Sequence, residues 1–151
     1  MTFIMQNEDA LTSNESEVKA CKPFLKWAGG KRQLLPEILL RIPDRINTYF
    51  EPFLGAGAVF FALQPKAALL SDINADLINA FTVVRDSCTE LIEDLSRHIY
   101  AEDYFYNLRE LDRSEEFLKL SSLEKASRLI FLNKTCYNGL YRVNSKGEFN
   151  V

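Results

Sequence analysis

The chain has 151 residues with a net charge of −3, and 47% of its residues are hydrophobic while 26% are charged. These values are typical of one globular domain and exclude a disordered or fibrous protein. Proteins dedicated to nucleic-acid binding are usually basic, so binding to DNA would require the cations to be concentrated on one surface. His98 is the single histidine, which argues against a His-based metal site or catalytic triad, and we predict no metal site.

Cysteine usage and hydropathy point to the cytoplasm. The three cysteines lack the spacing of a metal site and are expected to be reduced thiols. No stretch approaches the roughly 18 apolar residues that span a membrane, and the N-terminus lacks the pattern of a secretory signal. Residues 1–22 are mostly polar and acidic, which predicts a disordered leader before structure begins at Pro23.

The first structured segment alternates between helix and strand patterns. Apolar residues at helical spacing predict a helix over 30–42, in which Pro36 marks a late start or a kink. The aromatic stretch 47–53 predicts a strand, 57–63 predicts a helix, and 67–70 predicts a strand buried on both faces. This order is the beginning of a parallel α/β sheet.

The following segment is predicted to be helical over 75–85, 88–99, 103–111 and 122–133. Asn74 is placed to cap the first of these helices, and Ser87 with Glu90 and Ser121 with Glu124 have the spacing of capping boxes. Asn138-Gly139 indicates a turn. The last residues predict two short strands, 140–143 and 148–151, joined by a hairpin turn over 144–147.

This pattern contains only two candidate strands for the parallel sheet. A parallel sheet usually has four or more strands and is covered by helices on both faces. Two strands leave an open edge and an unfinished core. We therefore expect the sheet to be incomplete in this chain.

The segment from Glu51 to Gly57 follows a predicted strand and opens a helix. Gly55 and Gly57 permit a close approach of backbone to a ligand, and the helix N-terminus offers free N–H groups. Asp72 ends the next strand, where a carboxylate can accept hydrogen bonds from ribose hydroxyls. The combination indicates a nucleoside cofactor, although a glycine-rich turn with a helix-capping Asp has the same pattern. The full G-x-G-x-x-G motif of dehydrogenases is absent.

An aromatic residue lies beside a glycine pair and two cations in the segment 24–32. Trp27 can stack on a planar or cationic group, and Lys31 can bind a carboxylate. Taken alone, the segment is more typical of a surface turn with solvated charges.

Four segments together resemble the Dam-type (D12 class) adenine-N6-specific DNA methyltransferases. The first is Phe24-Leu25-Lys26-Trp27-Ala28-Gly29-Gly30-Lys31, and the second is Phe50-Glu51-Pro52-Phe53-Leu54-Gly55-Ala56-Gly57. The third is Ser71-Asp72-Ile73-Asn74. The fourth is Asn138-Gly139-Leu140-Tyr141-Arg142-Val143-Asn144 with Gly147-Glu148-Phe149-Asn150-Val151. They follow the order of the family from about Pro23 to Val151.

The resemblance implies a Rossmann-like methyltransferase fold, incomplete here, that binds S-adenosylmethionine. Residues 23–75 would begin this cofactor-binding domain. Residues 76–151 would be an inserted, mainly helical DNA-recognition domain that ends in a truncated β-hairpin. By position, Trp27 and Lys31 would contact the methionine part, Glu51 to Gly57 would surround the cofactor, and Asp72 would hold its ribose. The full implied set is Trp27, Ala28, Gly29, Lys31, Glu51, Pro52, Phe53, Gly55, Gly57, Asp72 and Ile73.

The resemblance also implies a duplex DNA partner and a bacterial or phage origin. The positions that would touch the target bases are Lys26, Tyr137, Asn138, Leu140 and Arg142. An Arg on a hairpin can bind guanine O6 and N7 together, and Tyr137 can fill the gap left by a displaced base. Hairpin packing is the alternative role of Tyr137 and Leu140. The segment around Arg142 resembles readers of GATC, and the sequence leaves open a restriction system, a phage or a solitary methylase.

The residues that carry the chemistry in this family are absent. Methyl transfer to adenine N6 uses Asp or Asn followed by Pro-Pro-Tyr or Pro-Pro-Phe, and the base must leave the helix. The chain has no Pro-Pro pair, so no catalytic residue is assigned and we expect weak or absent activity from these residues alone. Two alternatives remain: a non-catalytic DNA- or cofactor-binding module, and another Rossmann-like enzyme that acts on a small molecule.

Overall fold

The structure, a computed structural model, describes residues 2–6 and 21–151. These residues form a mostly helical α/β fold with two compact units. The first unit holds the described residues up to Phe24 together with Gly29–Ile73, and the second holds Leu25–Ala28 and Asn74–Val151. The resemblance implies a cofactor-binding domain that begins over 23–75, and in the structure Leu25–Ala28 belong to the second compact unit, where the backbone of Lys26 is hydrogen-bonded to Asn133.

The first unit is built on a small sheet of three strands among the described residues, β1 (Thr2–Gln6), β2 (Tyr49–Glu51) and β3 (Ala67–Ser71). β3 is central and pairs in parallel with β2, so that Glu51 lies opposite Leu70. The predicted parallel pair is therefore confirmed. Burial on both faces of β3 is only partly correct, because Ala68 and Leu70 are buried while the alternate residues are half-buried.

The strand β1 corrects the expectation of a wholly disordered leader. Thr2–Gln6 pairs antiparallel with β3, with Thr2 opposite Ser71 and Gln6 opposite Ala67. The stretch Phe3-Ile4-Met5 is apolar and precedes the acidic residues, so it suits the open edge of β3, whose backbone groups need partners. Residues 1 and 7–20 of the expected leader lie outside the described residues.

The first unit also contains short helices. A 3-10 turn at Lys31–Leu34 leads into α1 (Leu35–Leu39), and α2 (Ala58–Leu63) follows the glycine loop. Pro36 lies in the first turn of α1, where its missing N–H costs no helical hydrogen bond, so the predicted late start is confirmed. α2 buries Ala58, Val59 and Phe60.

The second unit is helical, and α7 packs on α3 and α4 to form its core. Its helices are α3 (Ala75–Asp86), α4 (Cys88–Leu95), α5 (Glu102–Glu110), α6 (Glu116–Lys119) and α7 (Ser122–Thr135). Asn74 caps α3 by accepting the N–H of Leu77, and Ser121 with Glu124 forms the predicted capping box of α7. No helix among the residues described is long and apolar enough to cross a membrane.

Two local predictions in the second unit are wrong. Ser87 makes no side-chain cap, because this single residue separates α3 from α4 and its N–H closes α3 on the carbonyl of Val83. The two strands expected near the C-terminus reduce to one antiparallel bridge between Val143 and Phe149. Two backbone hydrogen bonds flank this bridge, and the N–H and carbonyl of Phe149 face away from Val143 and bond to Asp112 and Arg113.

Candidate functional site

The loop between β2 and α2 is shaped by two glycines with left-handed backbone angles. Gly55 has φ 54° and Gly57 has φ 73°, conformations that cost an L-residue energy. The N–H of Leu54 donates to the carbonyl of Ser71 at 2.9 Å, and the N–H of Gly57 donates back to Leu54 at 3.0 Å. The loop is therefore a defined turn attached to the end of β3.

Asp72, at the end of β3, holds this loop with its carboxylate. Its Oδ2 accepts the N–H of Gly55 at 2.9 Å, and the residue remains partly exposed. A carboxylate has about four acceptor positions and can accept several hydrogen bonds at once. Ile73 and Phe53, on the same unit, are 100% and 77% exposed, which presents apolar surface to a ligand. The sequence predicted this juxtaposition from the glycines and Asp72 alone.

Lys31 and Glu51 form an ion pair beside the loop. Lys31 Nζ lies 2.9 Å from Glu51 Oε1 and also donates to the carbonyl of Phe53. Tyr49 donates its hydroxyl to Glu51 Oε2 at 3.0 Å, and burial and the Glu51 charge raise the pKa of Tyr49. The Glu51 side chain is only 4% exposed whereas that of Lys31 is 33% exposed. The Lys31 side chain is thus the more accessible member of the pair.

The candidate cofactor residues divide between the two units. Gly29, Lys31, Glu51, Pro52, Phe53, Gly55, Gly57, Asp72 and Ile73 belong to the first unit, and Trp27 and Ala28 belong to the second. Gly29 has φ 70° and is exposed, as are Ala28 and Pro52.

Trp27 packs on an aromatic stack in the second unit. Its ring lies on Tyr141 with centroids 5.3 Å apart and planes 12° apart, and Tyr141 contacts Phe149 at 5.2 Å. Sequence analysis named Trp27 as a stacking residue but did not identify Tyr141 as its partner. The two are 114 positions apart in sequence, so local pattern carried no signal of the contact.

Tyr141 is buried and holds the segment that follows the Tyr137–Gly139 turn against α3. Its hydroxyl lies 3.5 Å from Asp76 Oδ2, in the first turn of α3. Burial raises the pKa of Tyr141, and the nearby Asp76 charge raises it further, so the phenol stays neutral. Tyr141 therefore links the predicted DNA-contacting segment to the helical core.

Four of the five candidate DNA-contacting residues are exposed. Tyr137 is 81% exposed, and Lys26, Asn138 and Arg142 are also exposed, while Leu140 is half-buried. Asn138 has φ 56° within a 3-10 turn at Tyr137–Gly139, which confirms the predicted turn.

The charges of two candidate DNA-contacting residues, Lys26 and Arg142, affect the pKa of Cys136. Burial raises the pKa of Cys136, and the positive charges of Lys26 and Arg142 lower it. Lys26 and Arg142 are both exposed, and exposed cations on one surface are what an acidic protein needs to bind DNA.

The segment after the turn is anchored by a buried ion pair that sequence analysis missed. Arg128 Nη2 lies 2.9 Å from Asp112 Oδ2, and their side chains are only 5% and 7% exposed. The same Asp112 oxygen accepts the N–H of Phe149 at 2.8 Å. Asn144 closes the turn by accepting the N–H groups of Lys146 and Glu148. The only sequence signal was an Arg on the apolar face of a helix.

A protein-family model matches this chain over residues 27–151. The model describes the D12 class N6 adenine-specific DNA methyltransferases. The match includes the glycine loop, Asp72 and the Tyr137–Gly139 turn, and it covers well over half of the chain.

Curated relatives from bacteria and an archaeon match most of this chain. The Type II methyltransferase M1.LlaDCHI of Lactococcus lactis subsp. cremoris is 46% identical over 132 residues, which cover 86% of this chain and 46% of that protein. The Type II methyltransferase M.MjaIII of Methanocaldococcus jannaschii is 45% identical, with 86% and 51% covered. A DNA adenine methylase of Haemophilus influenzae is 41% identical, with 86% and 46% covered. The chain thus spans about half the length of these relatives.

Proposed function

Because the chain belongs to the D12 class of N6 adenine-specific DNA methyltransferases, we propose that it supplies the cofactor-binding and DNA-reading parts of such an enzyme. The whole protein would transfer a methyl group from S-adenosylmethionine to adenine N6 in duplex DNA, with GATC as the proposed site. Its place of action would be the cytoplasm, where the DNA of a bacterial cell lies. The observation that carries the proposal is that the residues matched by the family model include both the glycine loop held by Asp72 and the exposed turn at Tyr137–Gly139.

The first unit fits the chemistry of S-adenosylmethionine. Asp72 would accept hydrogen bonds from the ribose hydroxyls, and the exposed Ile73 and Phe53 would pack on the adenine. Lys31 would bind the carboxylate of the methionine part, since its side chain carries a positive charge and is partly exposed. The cofactor supplies the methyl group. The role of the protein residues here is to bind and orient it.

The second unit offers surface suited to duplex DNA. Arg142 has the donor geometry to bind guanine O6 and N7, and Asn138 has both donor and acceptor for a base edge. Tyr137 is placed on the surface where it can stack on an unpaired base. The Rossmann-like arrangement and the insertion of this unit as a recognition domain are part of the proposal, and family membership supports them.

The 151 residues contain no Asp-Pro-Pro-Tyr or Asn-Pro-Pro-Tyr segment, so we expect binding without turnover from them alone. The second candidate function, a non-catalytic module, makes the same binding prediction but differs for the whole protein. Absence of methyl transfer by the complete polypeptide would favour the module.

Binding measurements on the 151-residue chain test the proposal. Equilibrium dialysis with labelled S-adenosylmethionine should show saturable binding to one site. A DNA duplex carrying GATC should bind more tightly than one of equal composition with the site scrambled, and both affinities should fall with salt. A folded chain that binds neither the cofactor nor DNA would contradict the proposal.

A further inference from the structure

Asn133 is a fully buried amide that contacts two distant chain segments. It lies in α7 and is 1% exposed. Its Oδ1 accepts the backbone N–H of Lys26 at 3.0 Å. Its Nδ2 donates to the carbonyl of Lys26 at 2.9 Å and to the carbonyl of Gly139 at 3.0 Å. One side chain therefore joins the segment that carries Lys26 to the turn that carries Tyr137 and Asn138.

Only an amide of this length provides these three bonds. The two carbonyl partners require two N–H donors, and the Lys26 N–H requires an acceptor, which is the inventory of a carboxamide. An aspartate would set a carboxylate against two carbonyl oxygens. The two carbonyls also fix which end of the amide is nitrogen. Asn133 thus satisfies both backbone groups of Lys26, a residue outside any helix or strand.

Gly139 brings the side chain of Lys26 against the same turn. Gly139 has φ +66°, and a Cβ built on it would lie 2.8 Å from Lys26 Cδ and 3.1 Å from the carbonyl oxygen of Asn133. The aliphatic part of Lys26 therefore lies directly on the Gly139 backbone. The amide fixes the backbone of Lys26, and the absent side chain of Gly139 leaves room for its stem.

The residues that Asn133 holds are the exposed ones in this region. Lys26, Tyr137 and Asn138 all have exposed side chains, while their backbone neighbourhood is fixed on α7. A rigid helix that holds two separate base-contacting segments in one register is the arrangement that site discrimination requires.

We infer that Asn133 is a positioning residue that sets Lys26 and the Tyr137–Gly139 turn in the relative position that discriminates the DNA site. The inference rests on the proposed function, and Asn133 itself need not touch DNA. Its effect reaches the bases through Lys26, Tyr137 and Asn138.

The test compares Asn133→Ala and Asn133→Asp with a matched control, Thr135→Ala, in the 151-residue chain. Thr135 lies in the same helix and donates its hydroxyl to the carbonyl of Phe131. The readout is the ratio of affinities for cognate and scrambled duplexes at one salt concentration, with S-adenosylmethionine affinity measured in parallel. We expect Asn133→Ala to lower the ratio roughly tenfold or more, the scale of one base contact. Asn133→Asp should lower it further, and Thr135→Ala should leave it unchanged.

Two results would overturn the inference while leaving the proposed function in place. One is an unchanged ratio in folded Asn133→Ala. The other is an equal loss of cognate and scrambled binding, which a merely structural role would give. If the unsubstituted chain shows no site preference, the proposed function fails and the inference fails with it.

Amide hydrogen exchange on the unsubstituted chain tests whether Asn133 anchors the backbone of Lys26, and it does so even if the variants do not fold. The Lys26 amide should exchange as slowly as amides inside α7, although it lies in irregular structure. Exchange as fast as that of the exposed segment 21–22 would contradict the anchoring of Lys26 by Asn133.

Discussion

The ion pairs Lys31–Glu51 in the first unit and Arg128–Asp112 in the second differ in what surrounds the cation. Lys31 is 33% exposed and lies beside the glycine loop, whereas the Arg128 side chain is 5% exposed. Arg128 also donates to the carbonyls of Leu108 and Arg109, each at 2.8 Å. The same type of ion pair therefore has two different roles in this chain. An accessible cation can still meet a ligand, while a cation enclosed by protein partners fixes the chain.

Substitution of the buried cation should have the largest effect on stability. Arg128→Met leaves the Asp112 charge without a counterion, and Asp112 Oδ1 already lacks a hydrogen-bond partner among the described residues. Loss of one partner of a buried pair costs about 3–5 kcal/mol, so we expect Arg128→Met to lower the free energy of unfolding by that amount in urea denaturation followed by circular dichroism.

Two variants sharpen this prediction. Asp112→Asn combined with Arg128→Met should recover part of the loss, because an amide oxygen can still accept the Phe149 N–H without a buried charge. Arg97→Met removes a 73%-exposed cation from a 3.5 Å pair with Asp94 and should cost less than about 1 kcal/mol. Equal destabilisation by Arg128→Met and Arg97→Met would remove the distinction between the two classes of ion pair.

The glycine loop beside Lys31 should be sensitive to a single methyl group. Gly57→Ala places a Cβ on a residue with φ 73°, which costs about 1–2 kcal/mol and should weaken S-adenosylmethionine binding by distorting the loop. The matched control is Gly30→Ala, since Gly30 has φ −58° and accepts a side chain without backbone strain. Calorimetric titration of both variants gives the comparison. If Gly30→Ala bound S-adenosylmethionine as weakly as Gly57→Ala, the left-handed backbone angle would not be the cause of the weaker binding.

Sequence pattern predicted the parts of the molecule whose determinants are local. The glycine loop, the caps Asn74 and Ser121 and the turn at Asn138-Gly139 each depend on residues a few positions apart. The contacts that were missed join distant segments: Asn133 bonds Lys26 across 107 positions. The strand Thr2–Gln6 was missed because its apolar residues precede an acidic stretch that dominated the composition.

The same lesson applies to the C-terminal hairpin. Alternation over four residues predicted two strands, but the structure has one antiparallel bridge there, and the outward-facing backbone groups of Phe149 bond to the side chains of Asp112 and Arg113. Neither partner has a sequence signature, since acidic and basic residues on a helical segment are usually solvated. The contacts that hold this segment on the second unit are therefore long-range and leave no local pattern.

The smallest expected effect concerns pH. His98 bonds Tyr104 at 2.6 Å and Ser127 at 2.9 Å, and burial lowers the pKa of His98, with Asp94 opposing the shift. A lowered pKa in the folded state means that His98 contributes stability above its unfolded pKa of about 6.5 and loses it as pH falls through the folded value. The urea midpoint should drop between pH 7.5 and pH 5 by more in the unsubstituted chain than in His98→Gln. Parallel pH profiles for the two chains would contradict this assignment.

The central claim is that the first unit binds the cofactor and the second reads DNA. The most direct test measures the binding of two variants, Asp72→Asn and Tyr137→Ala. Each variant is titrated with S-adenosylmethionine and, separately, with the cognate duplex. We predict that Asp72→Asn weakens cofactor binding roughly tenfold, as for a lost charge-assisted hydrogen bond, and keeps DNA discrimination. Tyr137→Ala should lower DNA affinity about tenfold, the scale of one stacked base, and keep cofactor binding. The account would be contradicted if Asp72→Asn weakened only DNA binding and Tyr137→Ala weakened only cofactor binding. It would also be contradicted if both folded variants lost affinity for both ligands equally.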